Sequence, residues 1–265
     1  MVLFTAAICI LYLLGLMSVY ILINPIVFKT ERTSKYETPS SKRIEHLEIQ
    51  LPGNQHLSAV LYKTSSIQKG VILFLHGVRG NLDRFQFQSQ QFVSRGYSVL
   101  LPDYRGYGKS KGELSETSLT EDVTACLDWL AKRHREDSII IYAMDFLVPI
   151  ACYVNTMLPA RLLILENPVY SLRSWIKFRY PAFFLPYELK YDFNTYEYLH
   201  DCLSPVYVIR PNKKAACTLI EAQNLKLLLK DPDTFIQLDD RPNENIYELE
   251  SFQNHLDRIL NFESL

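Results

Sequence analysis

The sequence predicts an α/β protein in which a mostly parallel, eight-stranded sheet is covered by helices on both faces, with one transmembrane helix before it. Short apolar segments alternate with helical ones along most of the chain, and several are apolar throughout, as strands buried on both faces are. With 48% hydrophobic and 22% charged residues among 265, the composition argues against disorder. A formal net charge of −1 gives no electrostatic case for a nucleic-acid partner.

The amino terminus is predicted to be a membrane anchor over residues 1–28. No charged side chain precedes Lys29, and residues 2–23 form an apolar run. As a helix this run would span about 33 Å, enough to cross a hydrocarbon core of about 30 Å. A cleavable signal peptide is the alternative, but the basic start and the small residues before a cleavage site are missing. The basic residues after the run weakly favour a globular part on the cytoplasmic side.

After the anchor, residues 29–42 are expected to form a polar linker, and residues 43–265 to form one domain. The residues between the strands predict helices over 83–95, 119–134, 146–157, 218–230 and 247–262. The apolar segments predict strands over 43–50, 57–63, 71–75, 97–101, 138–142, 161–165, 205–209 and 234–238.

Residues 170–201 interrupt this alternation and are rich in aromatic residues and prolines. We expect a cap inserted over the carboxyl-terminal edge of the sheet. A membrane-contacting surface is the alternative, because Trp and Tyr favour membrane interfaces.

Two glycine-containing turns follow predicted strands. Residues 76–81 read H-G-V-R-G-N, and residues 103–112 read D-Y-R-G-Y-G-K-S-K-G. They resemble the H-G-x-x-G-N and D-Y-R-G-Y-G-x-S-x-G turns of the α/β-hydrolase superfamily, in particular its membrane-anchored branch similar to lipases, esterases and serine aminopeptidases. Leu163 to Pro168 resembles a later strand of that family and its exit. The residues that carry the two turns are His76, Gly77, Asp103, Arg105, Gly106, Gly108 and Ser110.

The resemblance implies the α/β-hydrolase fold and a Ser-His-Asp triad whose serine lies on a sharp strand-to-helix turn. It also implies that the backbone N–H groups of Val78 and Phe146 form an oxyanion hole. The chain departs from the family at all three triad positions. Asp145 holds the place of the serine within A-M-D-F-L at residues 143–147, Lys214 that of the acid, and Asn243 that of the histidine.

The glycines are confined to the part of the chain that ends with the second of the two turns. All nine glycines lie at or before Gly112, and the remaining 153 residues contain none. A G-x-S-x-G elbow and any glycine-dependent phosphate or dinucleotide loop are therefore excluded from the second half of the chain. The five cysteines and six histidines show no spacing suited to a metal site, and no cofactor is expected.

These observations predict a membrane-anchored protein that has lost serine-hydrolase catalysis and binds a small apolar or lipid-like ligand, or a protein partner. The alternative is a divergent hydrolase in which Asp145 is the nucleophile, but such an enzyme needs a histidine to activate water, and no histidine lies at the expected position. Asp145 is expected to cap the helix that follows it and to pair with Lys214.

Overall fold

The computed structural model describes residues 27–261 apart from 34, 38–39, 182–184, 186–188, 214 and 242–243, and in addition residues 10, 15 and 17. The strands are β1 Lys29–Thr30, β2 Ile44–Leu51, β3 Gln55–Tyr62, β4 Gly70–Leu75, β5 Arg79–Gly80, β6 Tyr97–Pro102, β7 Ile139–Met144, β8 Leu162–Glu166, β9 Val206–Arg210 and β10 Thr234–Gln237. The helices are α1 Gln86–Val93, α2 Glu116–Ala131, α3 Leu147–Asn155, α4 Leu172–Arg179, α5 Thr195–Tyr198, α6 Leu219–Leu227 and α7 Glu250–Asn261.

The predicted eight-stranded sheet is confirmed, with strand ends that differ from the prediction by one or two residues. Its order is β10-β9-β8-β7-β4-β6-β3-β2. The six strands from β10 to β6 run parallel, and β3 pairs antiparallel with both β6 and β2. Because β4 and β7 are neighbours in the middle of the sheet, the turns that leave their carboxyl ends lie side by side.

The central strands are apolar throughout because alternate side chains enter two separate cores. Leu73 and Ile141 belong to the core that includes residues of α2 and α3, whereas their neighbours Ile72 and Ile140 belong to the core that includes residues of α1 and α7. A strand buried on both faces has no polar face, so its sequence shows no alternation of polar and apolar residues.

Side chains cap the starts of α2 and α6. Ser115 and Ser118 form a reciprocal capping box at α2, so that this helix begins three residues before the predicted position. Thr218 and Glu221 cap α6 in the same way, at the predicted start. At both α1 and α7, a short 3₁₀ turn replaces the predicted first helical turn.

The amino-terminal segment packs onto the domain. Val27 and Phe28 are buried, and β1 pairs in parallel with β5, a small sheet that the sequence did not predict. Farther along, the hydroxyl of the buried Tyr36 donates to Asp103 over 2.7 Å. The described part of residues 29–42, predicted as a linker, is thus hydrogen-bonded to the globular domain at its start and near its middle.

The predicted anchor at residues 2–23 lies outside the described residues except for positions 10, 15 and 17. Among the residues that the structure does describe, no helix has both the length and the apolar composition needed to cross a bilayer.

Candidate functional site

A cavity of about 340 Å³ lies at the carboxyl edge of the sheet. It is surrounded by the turns that follow β4, β7, β8 and β9, by the helix α4 and by the start of the described amino-terminal segment. Its lining residues are Val27, Val78, Arg79, Asp145, Phe146, Asn167, Trp175, Arg179, Lys213, Ala215 and Ala216. Parallel α/β sheets bind ligands at this edge.

Asp145 occupies a sharp turn between β7 and α3. Its φ of +50° places it in the left-handed region, which Asp and Asn tolerate better than most side chains. Its N–H donates to the carbonyl of Glu166 over 3.1 Å, and its carbonyl accepts from the N–H of Val148 over 3.2 Å. The elbow geometry therefore forms without either of the glycines that the family motif would place here, and Leu147 is completely buried in the core beside it.

The side chain of Asp145 bonds to Asn167 and does not cap α3, so the predicted cap is wrong. Phe146 holds the cap position, and no side chain bonds to the first turn of the helix there. The Asn167 amide donates to Oδ1 of Asp145 over 2.7 Å, and its own oxygen accepts from the N–H of Ala216 over 2.8 Å. Asn167, which also has a positive φ of 51°, thereby connects the elbow to the turn after β9.

The carboxylate of Asp145 also lies directly over Gly77. A Cβ atom added at Gly77 would lie only 2.7 Å from Oδ2 of Asp145, so a larger residue at this position would displace the carboxylate. Burial raises the pKa of Asp145 to about 6, against the hydrogen bond from Asn167 and the charge of Arg79, which both lower it.

The other two predicted triad positions, Lys214 and Asn243, lie outside the described residues. The pairing of Asp145 with Lys214 therefore stays a prediction. In the described residues, the buried carboxylate of Asp240 accepts hydrogen bonds from the N–H groups of Asn212 and Lys213, which connects the turn after β10 to the turn after β9.

Glu166, a carboxylate that could have replaced a lost catalytic acid, is buried away from the cavity. The hydroxyls of Tyr142 and Tyr247 both donate to its Oε2. Burial raises the pKa of Glu166 to about 7, although the two hydrogen bonds act in the opposite direction. Glu166 does not line the cavity, so its arrangement with the two tyrosines is a buried structural cluster.

The predicted oxyanion residues, Val78 and Phe146, do come together. Both are buried, and both line the cavity. Within the described part of the chain, the N–H group of neither residue has a hydrogen-bond acceptor. Buried backbone N–H groups are normally paired, so these two N–H groups are available to donate hydrogen bonds to an acceptor of a bound molecule.

His76 and Asp103 hold the amino-terminal turns together. His76 is fully buried, with Nδ1 2.8 Å from the carbonyl oxygen of Gly77 and Nε2 3.5 Å from Oδ1 of Asp103. Asp103 also accepts from the N–H of Leu82 over 2.9 Å and from the hydroxyl of Tyr36. Both residues thus have a structural role.

The remaining turn residues continue this framework. Ser110 donates to the carbonyl of Asp103 over 2.6 Å and accepts from the N–H of Ser58 over 2.8 Å. Arg105 forms an ion pair with the buried Asp122 over 2.7 Å. Gly106 and Gly108 have positive φ values of 90° and 48°. A Cβ at Gly108 would lie only 1.8 Å from Oδ2 of Asp103, so the turn closes only around a glycine.

The described part of the chain places no histidine at the cavity that could act as a general base for Asp145. All six histidines belong to the described part, and none of them lines the cavity. His200 contacts the carbonyl oxygen of Leu228, and His255 lies within α7. In the described residues there is also no group of three or more His, Cys, Asp or Glu side chains that could hold a metal ion.

Several cavity residues were not identified from the sequence, namely Asn167, Arg79, Arg179, Trp175 and Lys213. Only Asn167 carries a local signal, since it follows a strand and is of the residue type that accepts a positive φ. The others come from three separate parts of the chain. Only the packing of α4 against the segments that follow β4 and β9 brings them to one cavity.

Comparisons with known proteins agree with this architecture. The serine aminopeptidase family S33 (Hydrolase_4) matches residues 66–173. The lysophosphatidylserine lipase ABHD12 of Xenopus tropicalis is 34% identical over 115 residues, which are 40% of this chain and 30% of that protein. Protein bem46 of Schizosaccharomyces pombe is 26% identical over 169 residues, 60% of this chain and 56% of that protein. The match thus spans about a third of ABHD12 and about half of bem46.

Solved structures share the fold. The esterase Pf2001 of Pyrococcus furiosus superposes with a TM-score of 0.69 at 19% identity, covering 89% of this chain and 97% of the esterase. The α/β hydrolase GrgF of Penicillium superposes with a TM-score of 0.64 at 14% identity, covering 83% and 99%. The family match, the relatives and the shared fold together identify this chain as a member of the α/β-hydrolase superfamily.

Proposed function

We propose that this protein binds an amphiphilic ligand in the cavity at the carboxyl edge of the sheet without hydrolysing it, and that residues 2–23 anchor it in a membrane. One observation carries the proposal: the nucleophile position holds Asp145, whose carboxylate is bound by Asn167, and none of the described lining residues is a serine, a cysteine or a histidine. Hydrolysis through a covalent intermediate needs both a nucleophile and a base that activates water.

The cavity walls support an amphiphile as the ligand. Phe146 packs edge-to-face against Trp175 with ring centroids 5.1 Å apart, and Val27 and Ala216 add further apolar surface. These groups lie beside the unpaired N–H groups of Val78 and Phe146. One wall therefore suits an apolar chain and another suits a polar group. The ABHD12 relatives are lysophosphatidylserine lipases, and a lysophospholipid has this two-part chemistry.

The route of the amino-terminal segment supports a membrane location. Val27 lines the cavity, and Phe28 packs against Tyr191 and Phe193. The N–H of Lys29 donates to the carbonyl of Val78 over 3.0 Å, so the amino-terminal segment contacts the domain at the turn that contains Val78. An anchor formed by the residues before Val27 would hold the cavity near the bilayer, where an amphiphile could enter directly.

A divergent hydrolase with Asp145 as nucleophile is the second candidate. The observation that favours it is the positive φ of Asp145, which keeps the elbow conformation that presents a nucleophile. The two N–H groups of Val78 and Phe146 would then stabilise the developing charge. This candidate requires a water-activating base other than the six histidines.

The two candidates separate in an assay for turnover. The full chain, embedded in phosphatidylcholine nanodiscs, is tested with p-nitrophenyl butyrate and lysophosphatidylserine as substrates and with a fluorophosphonate reagent that labels active serines. We expect neither turnover nor labelling, while an active serine esterase serves as the positive control. The full chain is used because a shortened chain starting at residue 36 would lack the buried Val27 and Phe28.

Turnover that disappears in Asp145→Asn would overturn the non-catalytic proposal. Asn preserves the shape of the side chain and tolerates a positive φ, so loss of activity in this variant would report on chemistry rather than on folding.

Ligand binding is followed through Trp175, one of only two tryptophans in the chain. In a Trp129→Phe background, the fluorescence of Trp175 is expected to change when lysophosphatidylserine is added to the nanodiscs. A spectrum that stays unchanged up to the millimolar range would contradict a ligand in this cavity.

A further inference from the structure

Three cationic side chains line the cavity and come from three separate parts of the chain. Arg79 begins the short strand β5 that follows β4, Arg179 ends the helix α4, and Lys213 lies in the turn after β9. Asp145 is the only carboxylate among the described lining residues. The cavity therefore has an excess of positive charge, whereas the whole chain is close to neutral.

These three cations have no counterion in the described structure. None of them lies within 4.0 Å of a carboxylate oxygen there, whereas Arg95, Arg105 and Arg135 each form an ion pair with an aspartate. Arg79 does act electrostatically on Asp145 from a longer distance and lowers its pKa. Even if this pair is taken as neutral, Arg179 and Lys213 leave the cavity positive.

The unpaired N–H groups add donors to the same wall. Val78 is adjacent to Arg79, and Phe146 packs against Trp175, which lies on α4 one helical turn before Arg179. All three cationic side chains are exposed, so an anion that enters the cavity from solvent can reach them. Cations together with free N–H groups are the donor set that binds carboxylate and phosphate oxygens.

We infer that the cavity binds the anionic group of an amphiphile, a carboxylate or a phosphate, between Arg79, Arg179 and Lys213, with its apolar part against Phe146 and Trp175. This inference rests on the proposed function for the presence of an amphiphile in the cavity and adds the charge of its polar group. The two arginines can each donate a pair of hydrogen bonds to such a group, and Lys213 contributes a mobile point charge.

The test compares ligands that differ only in the polar group. Decyl phosphate, decanoate and decanol are added below their micellar concentrations to the full chain in phosphatidylcholine nanodiscs, and Trp175 fluorescence is recorded in the Trp129→Phe background. Decyl phosphate and decanoate are expected to bind at least tenfold more tightly than decanol, and inorganic phosphate alone at least a hundredfold more weakly than decyl phosphate.

The double variant Arg179→Gln, Lys213→Gln is expected to weaken the binding of decyl phosphate about tenfold and to leave that of decanol unchanged. Its matched control is Arg135→Gln, Lys226→Gln, which removes the same charge from exposed sites outside the cavity lining and should have no effect. The control also corrects for the general attraction of anionic ligands to the protein.

Equal affinity for decanol and decyl phosphate would overturn this inference and leave the non-catalytic binding of an amphiphile intact. Inorganic phosphate that binds as tightly as decyl phosphate would also overturn it, because the site would then recognise the free anion. Turnover of lysophosphatidylserine that depends on Asp145 would instead overturn the proposed function, so the two failures are distinguishable.

Discussion

Two sets of turns border the same sheet but differ in composition. The amino-terminal turns are residues 76–81 and 103–112, and the triad turns are those that follow β7, β9 and β10, where the family resemblance places the catalytic residues. The amino-terminal turns contain five of the nine glycines and a dense set of buried hydrogen bonds around Asp103. The triad turns contain no glycine and no catalytic serine or histidine.

The difference shows that left-handed turns at the edge of one sheet can be formed either by glycines or by polar residues whose side chains are hydrogen-bonded. In the amino-terminal turns, the positive φ values belong to glycines such as Gly106 and Gly108. In the turns after β7 and β8, the positive φ values belong to Asp145 and Asn167, whose side chains form a hydrogen bond with each other. A left-handed conformation costs a non-glycine residue about 1 kcal/mol, which a single buried hydrogen bond can offset.

The largest effect is expected for Gly108→Ala, because the new Cβ would overlap with Oδ2 of Asp103. We expect a loss of about 3 kcal/mol or more in the free energy of unfolding, measured by guanidinium denaturation of the full chain in a neutral detergent. The matched control is Gly53→Ala, which also has a positive φ but has no heavy atom within 4 Å of the added Cβ. It should cost only about 1 kcal/mol. Equal losses in both variants would show that the Asp103 contact does not matter.

Glu166 should make stability depend on pH. Its pKa is raised from an ordinary value of 4.5 to about 7, so the folded state favours the protonated form. The contribution of Glu166 to the free energy of unfolding is fully present below pH 4.5 and is lost as the pH rises through 7, a change of roughly 3 kcal/mol. Glu166→Gln removes the titration, so the stability difference between wild type and variant should change by this amount between about pH 4 and about pH 8. A difference that stays constant over this range would contradict the burial of an ionisable Glu166.

The hydrogen bond between Asp145 and Asn167 should determine how much stability is lost when Asp145 is replaced. Asp145→Ala leaves the Asn167 amide without its partner and places alanine at a positive φ, whereas Asp145→Asn keeps both the acceptor and a residue that accepts this conformation. Neither variant carries the buried carboxylate, whose raised pKa makes its charge unfavourable in the folded state, so the two variants are compared with each other. We expect Asp145→Ala to be less stable than Asp145→Asn by about 2 kcal/mol in the free energy of unfolding, measured by guanidinium denaturation. If the two variants unfold at the same denaturant concentration, the hydrogen bond has no role in holding the elbow.

The smallest effect is expected for Tyr36→Phe, which tests whether the amino-terminal segment is part of the framework around Asp103. The variant keeps the aromatic ring and removes the hydrogen bond to Asp103, at a cost of about 1 kcal/mol in unfolding free energy. Tyr153→Phe, which removes a hydroxyl from a more exposed ring, serves as the control and should be neutral. If Tyr36→Phe is as neutral as this control, the segment is not stabilised through Asp103.

Much of the fold could be predicted because its signals are local. The eight strands of the main sheet were predicted from apolar runs such as residues 138–142, and the start of α6 was predicted to within one residue. The small sheet of β1 and β5 was missed because two residues per strand carry no periodic signal. The predicted cap by Asp145 failed because Asn167, 22 positions away, competes for the same carboxylate.

The sequence by itself determined the strand pattern and the fold family, and it predicts that Asp145, Lys214 and Asn243 stand at the family's triad positions. Each of these is a matter of residue type at a fixed place along the chain. The tertiary structure decided that Asn167 bonds to Asp145, that Tyr36 joins the framework of Asp103, and that Arg79, Arg179 and Lys213 line one cavity. Such contacts depend on how distant loops pack together, and no local pattern encodes the distance between them.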